Sequence, residues 1–321
     1  MKGRKEYIII ILLIIGLGVF IWRDRTDQVH YQLPDIQPLK SSEISKLELD
    51  KGKATLILEK SGEGWVLNPG GFPADQGKVK TALQAVADLQ LTALASQSGH
   101  YPRYGLDRNA TVHVRAYDGQ KQVRSVYVGK TASSAGNTYI RLPDDPAVYL
   151  AQSNLRRALD RDKTSLQDKT VLSFTTEDIQ SISIHSGDRQ IQLSRSRPEA
   201  PDQNATSSQD QGRWTKKSGA VADKETVDGL LDRLADLQCR RYIEDRPADA
   251  FQDPSTSIVL QGQARLELEL FPDFLPEDEG TAGVSSQSTY PFVLSTFNSQ
   301  QLDKKINALL PEDDPDQSSE E

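Results

Sequence analysis

Two hydrophobic rhythms follow one another along this chain, and the sequence of rhythms occurs twice. From residue 44 the apolar positions lie at strand spacing: Ile44, Leu47 and Leu49, then Ala54, Leu56 and Leu58 between Thr55, Ile57 and Glu59. Period-two alternation predicts strands with one buried face. A Ser61-Gly62-Glu63-Gly64 turn leads to a third short strand, Trp65-Val66-Leu67, closed by Asn68-Pro69-Gly70-Gly71. At Asp75 the period changes. Val79, Leu83, Val86 and Leu89 stand at i, i+4, i+7 and i+10, which predicts a helix N-capped by Asp75 and running to about Leu94. Its stripe belongs against a sheet. Strands resume at 111–117, 122–128, 138–142 and 148–151, with Asp118-Gly119 as a hairpin turn. Ser153 is read as the cap of a short helix over 154–159.

The helical stretch 75–90, DQGKVKTALQAVADLQ, returns as 223–238, DKETVDGLLDRLADLQ, each matched position 148 residues further on. Ile179, Ile182 and Ile184 likewise follow Ile44, Leu47 and Leu49 by 135. A strand at 190–195, Trp214 in the place of Trp65, and strands at 257–260 and 265–271 continue the match. The TYPFVLST run, 289–296, parallels 138–142, and 301–310 is the closing helix. A polar loop, 196–212, accounts for the growth in offset, and a second loop rich in acids and glycine spans 272–288. The expected fold is α+β: two tandem repeats, 44–165 and 166–311, each a mostly antiparallel sheet packed on one main helix.

A third pattern precedes both. Residues 7–22, YIIIILLIIGLGVFIW, carry no charge. At ~1.5 Å per residue such a helix spans roughly 24 Å, slightly short of a ~30 Å hydrocarbon core. Tyr7 and Trp22 suit the two interfaces, and Lys2, Arg4 and Lys5 favour a cytoplasmic N-terminus. The following RDRTDQ lacks the small-residue pattern of a cleavage site. The expectation is therefore a retained transmembrane anchor within a tip of 1–25, a stalk at 26–43 with Pro34 and Pro38, and a bulk outside the cytoplasmic membrane of a bacterial cell.

Charge narrows the function. The formal net charge is −8, and the three-charge surplus of residues 1–25 leaves −11 on the rest. An acidic body repels phosphate backbones, so nucleic acid is not an expected partner. The tail 312–321 holds six acids and no base and reads as solvated. One cysteine, Cys239, excludes an internal disulfide and a cysteine-rich metal site.

The pattern WVL…AD…V…L…ADLQ, then Tyr104-Gly105-Leu106-Asp107, the Val128-Gly129 turn, TYIRL, VYL and DKTVLSF resembles the bacterial domain-of-unknown-function family numbered 4340. That resemblance extends over about 44–310 and implies an N-terminally anchored protein. Some relatives sit beside gliding-motility-type ABC transporter components, which implies an accessory role by association. It brings no catalytic residues.

The residues add none by themselves. His30, His100, His113 and His185 show no metal-ligand spacing. His113 alternates with Val112 and Val114 and so faces away from their core. No G-x-S-x-G elbow accompanies a serine, and no phosphate-cradling glycine loop occurs outside 7–22. Arg240 and Arg241 beside Cys239 suit a lowered thiol pKa, against the plainer reading of a small residue at a helix end. Asp144-Asp145 and Pro276-Glu277-Asp278-Glu279-Gly280 are acidic turns without EF-hand spacing. Asn109 and Asn204 match the glycosylation sequon, relevant only in a eukaryotic secretory setting. Trp65 and Trp214, with Tyr101, Tyr104, Tyr139 and Tyr149, are read as core aromatics, with a glycan or peptide groove between the repeats as the sharper alternative. No catalytic, cofactor or metal residue is assigned and no cofactor is expected. The expectation is a non-catalytic binding or scaffolding subunit, membrane-held through 7–22, with protein partners in the inner membrane or periplasm. An envelope hydrolase acting on glycan or peptide, and a ligand sensor, are the alternatives. Sites are expected at 196–212, at 272–288 and at the seam between repeats.

Overall fold

A computed structural model describes residues 14–17, 19, 32–52, 54–133, 136–196 and 212–311. The anchor expected at 7–22 lies outside these apart from Ile14, Ile15, Gly16, Leu17 and Val19. Those five are helical, and the isoleucines, Leu17 and Val19 are exposed. No helix among the described residues is long and apolar enough to cross a membrane. The tail 312–321 and most of the loop 196–212 also lie outside the described residues.

The chain divides into two compact units, Met1–Leu166 and Gln167–Glu321. Both are mostly antiparallel sheet with a few helices, the α+β class that the alternation predicts.

Unit 1 contains β1 (Lys46–Asp50), β2 (Thr55–Ser61), β3 (Gly64–Asn68), β4 (Phe72–Pro73), α1 (Gln76–Ala87), β5 (Leu91–Ser96), β6 (Val112–Asp118), β7 (Lys121–Thr131), β8 (Thr138–Arg141), β9 (Val148–Ala151), α2 (Leu155–Leu159) and α3 (Lys163–Leu166). Its nine strands run in the order β4-β3-β2-β1-β6-β7-β8-β9-β5. Alternate residues Leu47, Leu49, Leu56, Leu58, Val112, Val114 and Val126 turn one face to a core closed by Val79, Ala82, Leu83 and Val86 of α1. Leu33, Ile36 and Leu39 pack on the same core, although 32–40 has no regular secondary structure.

Residues 75–90 are a helix and the lead into a strand. Asp75 caps α1, accepting from the Lys78 amide at 3.0 Å. Asp75→Ala should lower the stability of unit 1 by about 1 kcal/mol in denaturant titration, since an N2–N3 amide loses its partner. The helix stops at Ala87, not Leu94. There the Arg124 guanidinium takes the Val86 and Ala87 carbonyls at 2.6 and 3.0 Å and also donates to the Gln37 carbonyl. Leu89 stays buried as the chain leaves the helix, which carries the apolar stripe past the last helical turn. Residues 91–96 then pair with β9 instead. Asn154, not Ser153, caps α2, accepting from the Arg157 amide.

Unit 2 contains β10 (Thr170–Ser173), β11 (Ser181–Ser186), β12 (Arg189–Arg195), β13 (Trp214–Lys216), α4 (Lys224–Leu234), β14 (Asp236–Gln238), β15 (Arg241–Tyr242), β16 (Thr256–Gln261), β17 (Arg265–Phe271), β18 (Thr281–Ser285), β19 (Phe292–Leu294) and α5 (Thr296–Leu309). Eight strands run β13-β12-β11-β16-β17-β18-β19-β15, and β10 pairs with β14 apart from them. Asp223 caps α4 as Asp75 caps α1, accepting from the Thr226 amide.

The span 272–288 is not one loop: it holds 3-10 turns at Pro272–Phe274 and Glu277–Glu279 and the whole of β18. Beside the long hairpin strand β7, unit 1 places Thr138–Arg141; beside β17, unit 2 places Thr281–Ser285, so the match of 289–296 to 138–142 pairs strands of different rank. Thr-Ala-Gly-Val-Ser shows little alternation because Phe292 fills the space. A Cβ on Gly283 would stand 2.7 Å from that ring. The closing helix begins at Thr296, capped by Ser295, five residues before the expected 301.

Candidate functional site

The side of the unit 1 sheet away from α1 carries a bonded polar network. Antiparallel register sets it out in two rungs. Glu48, Arg115 and Ser125 lie side by side across β1, β6 and β7, and Asp50, His113, Tyr127 and Arg141 across β1, β6, β7 and β8. All of these are half-buried. Alternation forces them outward, since Leu47, Leu49, Val112, Val114, Val126 and Val128 take the inward positions.

The first rung is an ion-pair cluster. Glu48 accepts from Arg115 Nε at 2.8 Å and from the Tyr117 hydroxyl at 3.1 Å, with Lys46 Nζ at 3.1 Å. Burial works to raise the Glu48 pKa, but the hydrogen bonds from Arg115, Lys46 and Tyr117 outweigh it and hold the carboxyl below its usual range. The second rung is a stack. His113 lies on Tyr127 with ring centres 4.1 Å apart, and the Arg141 guanidinium is 4.0 Å from the Tyr127 ring centre on the neighbouring strand. Tyr101 stands 5.3 Å from the same guanidinium.

His113 joins the rungs, and its bonds fix its tautomer. Arg115 Nη1 lies 3.0 Å from Nδ1, and a guanidinium only donates. Nδ1 is therefore the acceptor, Nε2 carries the proton, and Nε2–H donates to Ser125 Oγ at 2.9 Å. Burial, reinforced by Arg115 and Arg141 and opposed by Asp50 and Glu48, depresses the His113 pKa below 6.5, so the ring is neutral at pH 7. A nucleophilic serine needs the reverse arrangement: an unprotonated Nε2 toward the hydroxyl and a carboxylate on Nδ1. Here an arginine holds the carboxylate's place, and Ser125 receives a proton it would have to give away.

A linkage prediction follows. A histidine with a depressed folded pKa contributes stability that is complete above 6.5 and is lost as pH falls through the folded value. The melting temperature should therefore drop between about pH 7 and pH 5, and His113→Gln should flatten that slope. An unchanged slope would remove His113 from the account.

The other sequence candidates lie apart from this face. His30 is outside the described residues, His185 is exposed on β11, and His100 sits in a loop with its Nδ1 3.4 Å from Ser98 Oγ. Cys239 is buried directly after β14, and burial pushes its thiol up to about 11, against the lowered pKa that Arg240 and Arg241 suit and in keeping with the plainer reading of a small packed residue. Arg241 is paired with Glu279 at 2.8 Å and Arg240 donates to the Glu279 carbonyl, while Lys169 works to lower the thiol pKa against burial. Asp145 is spent on its own turn. It accepts from the Ala147 amide and, at 2.5 Å, from the Tyr149 hydroxyl, whose pKa is pushed up to about 12 by burial and that bond. Among the described residues no cluster of three His, Cys, Asp or Glu could hold a metal.

Tyr104 and Tyr139 pack together with ring centres 4.9 Å apart, beside Gly129. Trp65 and Trp214 occupy one register position, opposite Lys60 on β2 and Arg195 on β12. Their surroundings differ. Trp214 is 1% exposed with its indole nitrogen unpartnered, whereas half-buried Trp65 borders an open groove of about 350 Å³. Sequence reading put His113 on the outer face but missed Glu48, Arg115, Ser125, Tyr127 and Arg141. Their alternation was visible; their neighbours were not.

A family model described as a domain of unknown function (DUF4340) matches residues 65–255. The match begins at Trp65, includes the Tyr104–Asp107 and Val128-Gly129 motifs, and continues into unit 2. No curated protein and no solved structure matches the chain.

Proposed function

We propose, from the premise that this chain belongs to the DUF4340 family, that it is a non-catalytic, membrane-anchored envelope protein that binds and positions protein partners through the outer sheet face of unit 1. The observation that carries this reading is the reversed Ser125–His113–Arg115 relay. It spends the histidine, serine and arginine on fixing a surface and disfavours the hydrolase alternative. Aromatic and arginine side chains held on a rigid sheet supply binding energy at low entropic cost.

The anchor is the uncharged run 7–22, with the bulk of the chain outside the inner membrane of a bacterium. Docking of Leu33, Ile36 and Leu39 on the core supports a short tether. Ten residues, 23–32, separate the anchor from Leu33, a reach of at most about 36 Å. Unit 1 then works close to the bilayer. We also read the two units as tandem copies of one module. The shared strand orders, equivalent N-caps and register-matched tryptophans support this. On this reading the outer face has diverged, because Ser183, Val259 and Glu267 form unit 2's first rung. Accessory service to an ABC-type transport or envelope-assembly complex is the setting that fits such a subunit.

Mild detergent extraction followed by affinity purification tests the proposal. A partner should be recovered with the wild-type chain and depleted with Arg141→Glu. Recovery of the lone protein, even after crosslinking, would refute it.

A further inference from the structure

The two tryptophan corners are built from the same parts and finished differently. In unit 2, Arg195 stands over Trp214, 5.7 Å from the ring centre, and its Nη1 donates to the carbonyls of Thr176 and Glu177 at 3.3 and 3.2 Å. Those carbonyls belong to the 3-10 turn Thr176–Asp178, which precedes β11 as Ser41–Glu43 precedes β1. On the helix wall, Lys224 and Asp228 are paired at 2.7 Å. The corner is latched shut.

In unit 1 the latch is missing. Lys60 stands opposite Trp65 where Arg195 stands opposite Trp214, and a single ammonium lacks the fork that bridges two carbonyls. Gln76 and Lys80 of α1 occupy the places held by Lys224 and Asp228 in unit 2. The result is the open groove beside Ser41 and Ser42, floored by buried Val79 and Leu83. Lys60 and Lys80 are exposed and form no ion pair among the described residues, and no carboxylate lines the groove. In a chain of net charge −8, this is a local inversion of sign.

We propose that this groove is a second binding site, distinct from the outer face, for an acidic peptide segment of a partner protein that lays an aromatic side chain on Trp65. Two ammonium groups without a competing carboxylate select an anionic ligand, and the half-buried indole offers a flat apolar surface. The volume lies at the small end of ligand sites, enough for a few side chains. A glycan fits less well. A neutral sugar would leave the Lys60 and Lys80 ammonium groups without an anionic partner.

The test uses the full-length protein in detergent. Its probes are a fluorescein-labelled peptide of alternating glutamate and tyrosine, the same peptide with glutamine for glutamate, and an oligogalacturonate. The acidic peptide should bind saturably and more weakly as salt rises. Lys60→Glu and Lys80→Glu should each weaken it at least tenfold with unchanged melting, since both side chains are exposed. Lys60→Arg, which restores the latch, should also weaken it. Absence of saturable binding by the acidic peptide, equal binding of the glutamine peptide, indifference to Lys60→Glu and Lys80→Glu, or preferential binding of the oligogalacturonate would each overturn the proposal.

Discussion

Trp214→Ala is expected to cost about 3–5 kcal/mol, the usual range for deleting a fully buried large aromatic. The residue is 1% exposed, with Arg195 over its ring. Hydrogen exchange of β11 and β12 should lose most of its protection, while the strands of unit 1 keep theirs. Trp65→Ala should cost less, because that side chain is only partly buried. The asymmetry is the informative part. Equal losses at the two positions would mean that the corners are finished alike and that the groove at Trp65 is closed in solution.

Gly129→Ala should cost about 3 kcal/mol or more, and in unit 1. A Cβ there would stand 2.3 Å from the Tyr104 carbonyl oxygen, 2.9 Å from Leu106 Cγ and 3.1 Å from the Tyr139 carbonyl oxygen. Two of these are backbone atoms and cannot swing aside. The segment holding Tyr104 and Leu106 crosses β7 at this point, and Gly105 completes the crossing with a φ of 65°. The Tyr-Gly-Leu-Asp and Val-Gly motifs are thus two halves of one joint. Urea unfolding of the alanine variant should show an early transition absent from the wild type. A midpoint within error of the wild type would show that the crossing is looser than these distances indicate.

Much of this architecture could be read from spacing. β9 and β17 fall on the predicted residues, β6 and β7 lie within a few residues of them, and both main helices start at the aspartates that cap them. What escaped was decided by contacts distant in sequence. The end of α1 depends on Arg124, thirty-seven residues beyond Ala87. β18 carries its small residues because Phe292 of the next strand fills the space. The site followed the same rule. His113 could be placed outside from Val112 and Val114 alone, but its chemistry depends on β1 lying beside β6 and on Arg115 reaching Nδ1. The same residues with aspartate in place of Arg115 would resemble a hydrolase.

The central claim, that the outer face of unit 1 binds a partner, is tested most directly by site-specific photo-crosslinking in native membranes. A benzophenone amino acid at position 127 should give a light-dependent adduct with a discrete envelope protein, absent in the Arg141→Glu background. The same probe at exposed position 192 in unit 2 should give none. No adduct at 127, or identical adducts at 127 and 192, would contradict the claim.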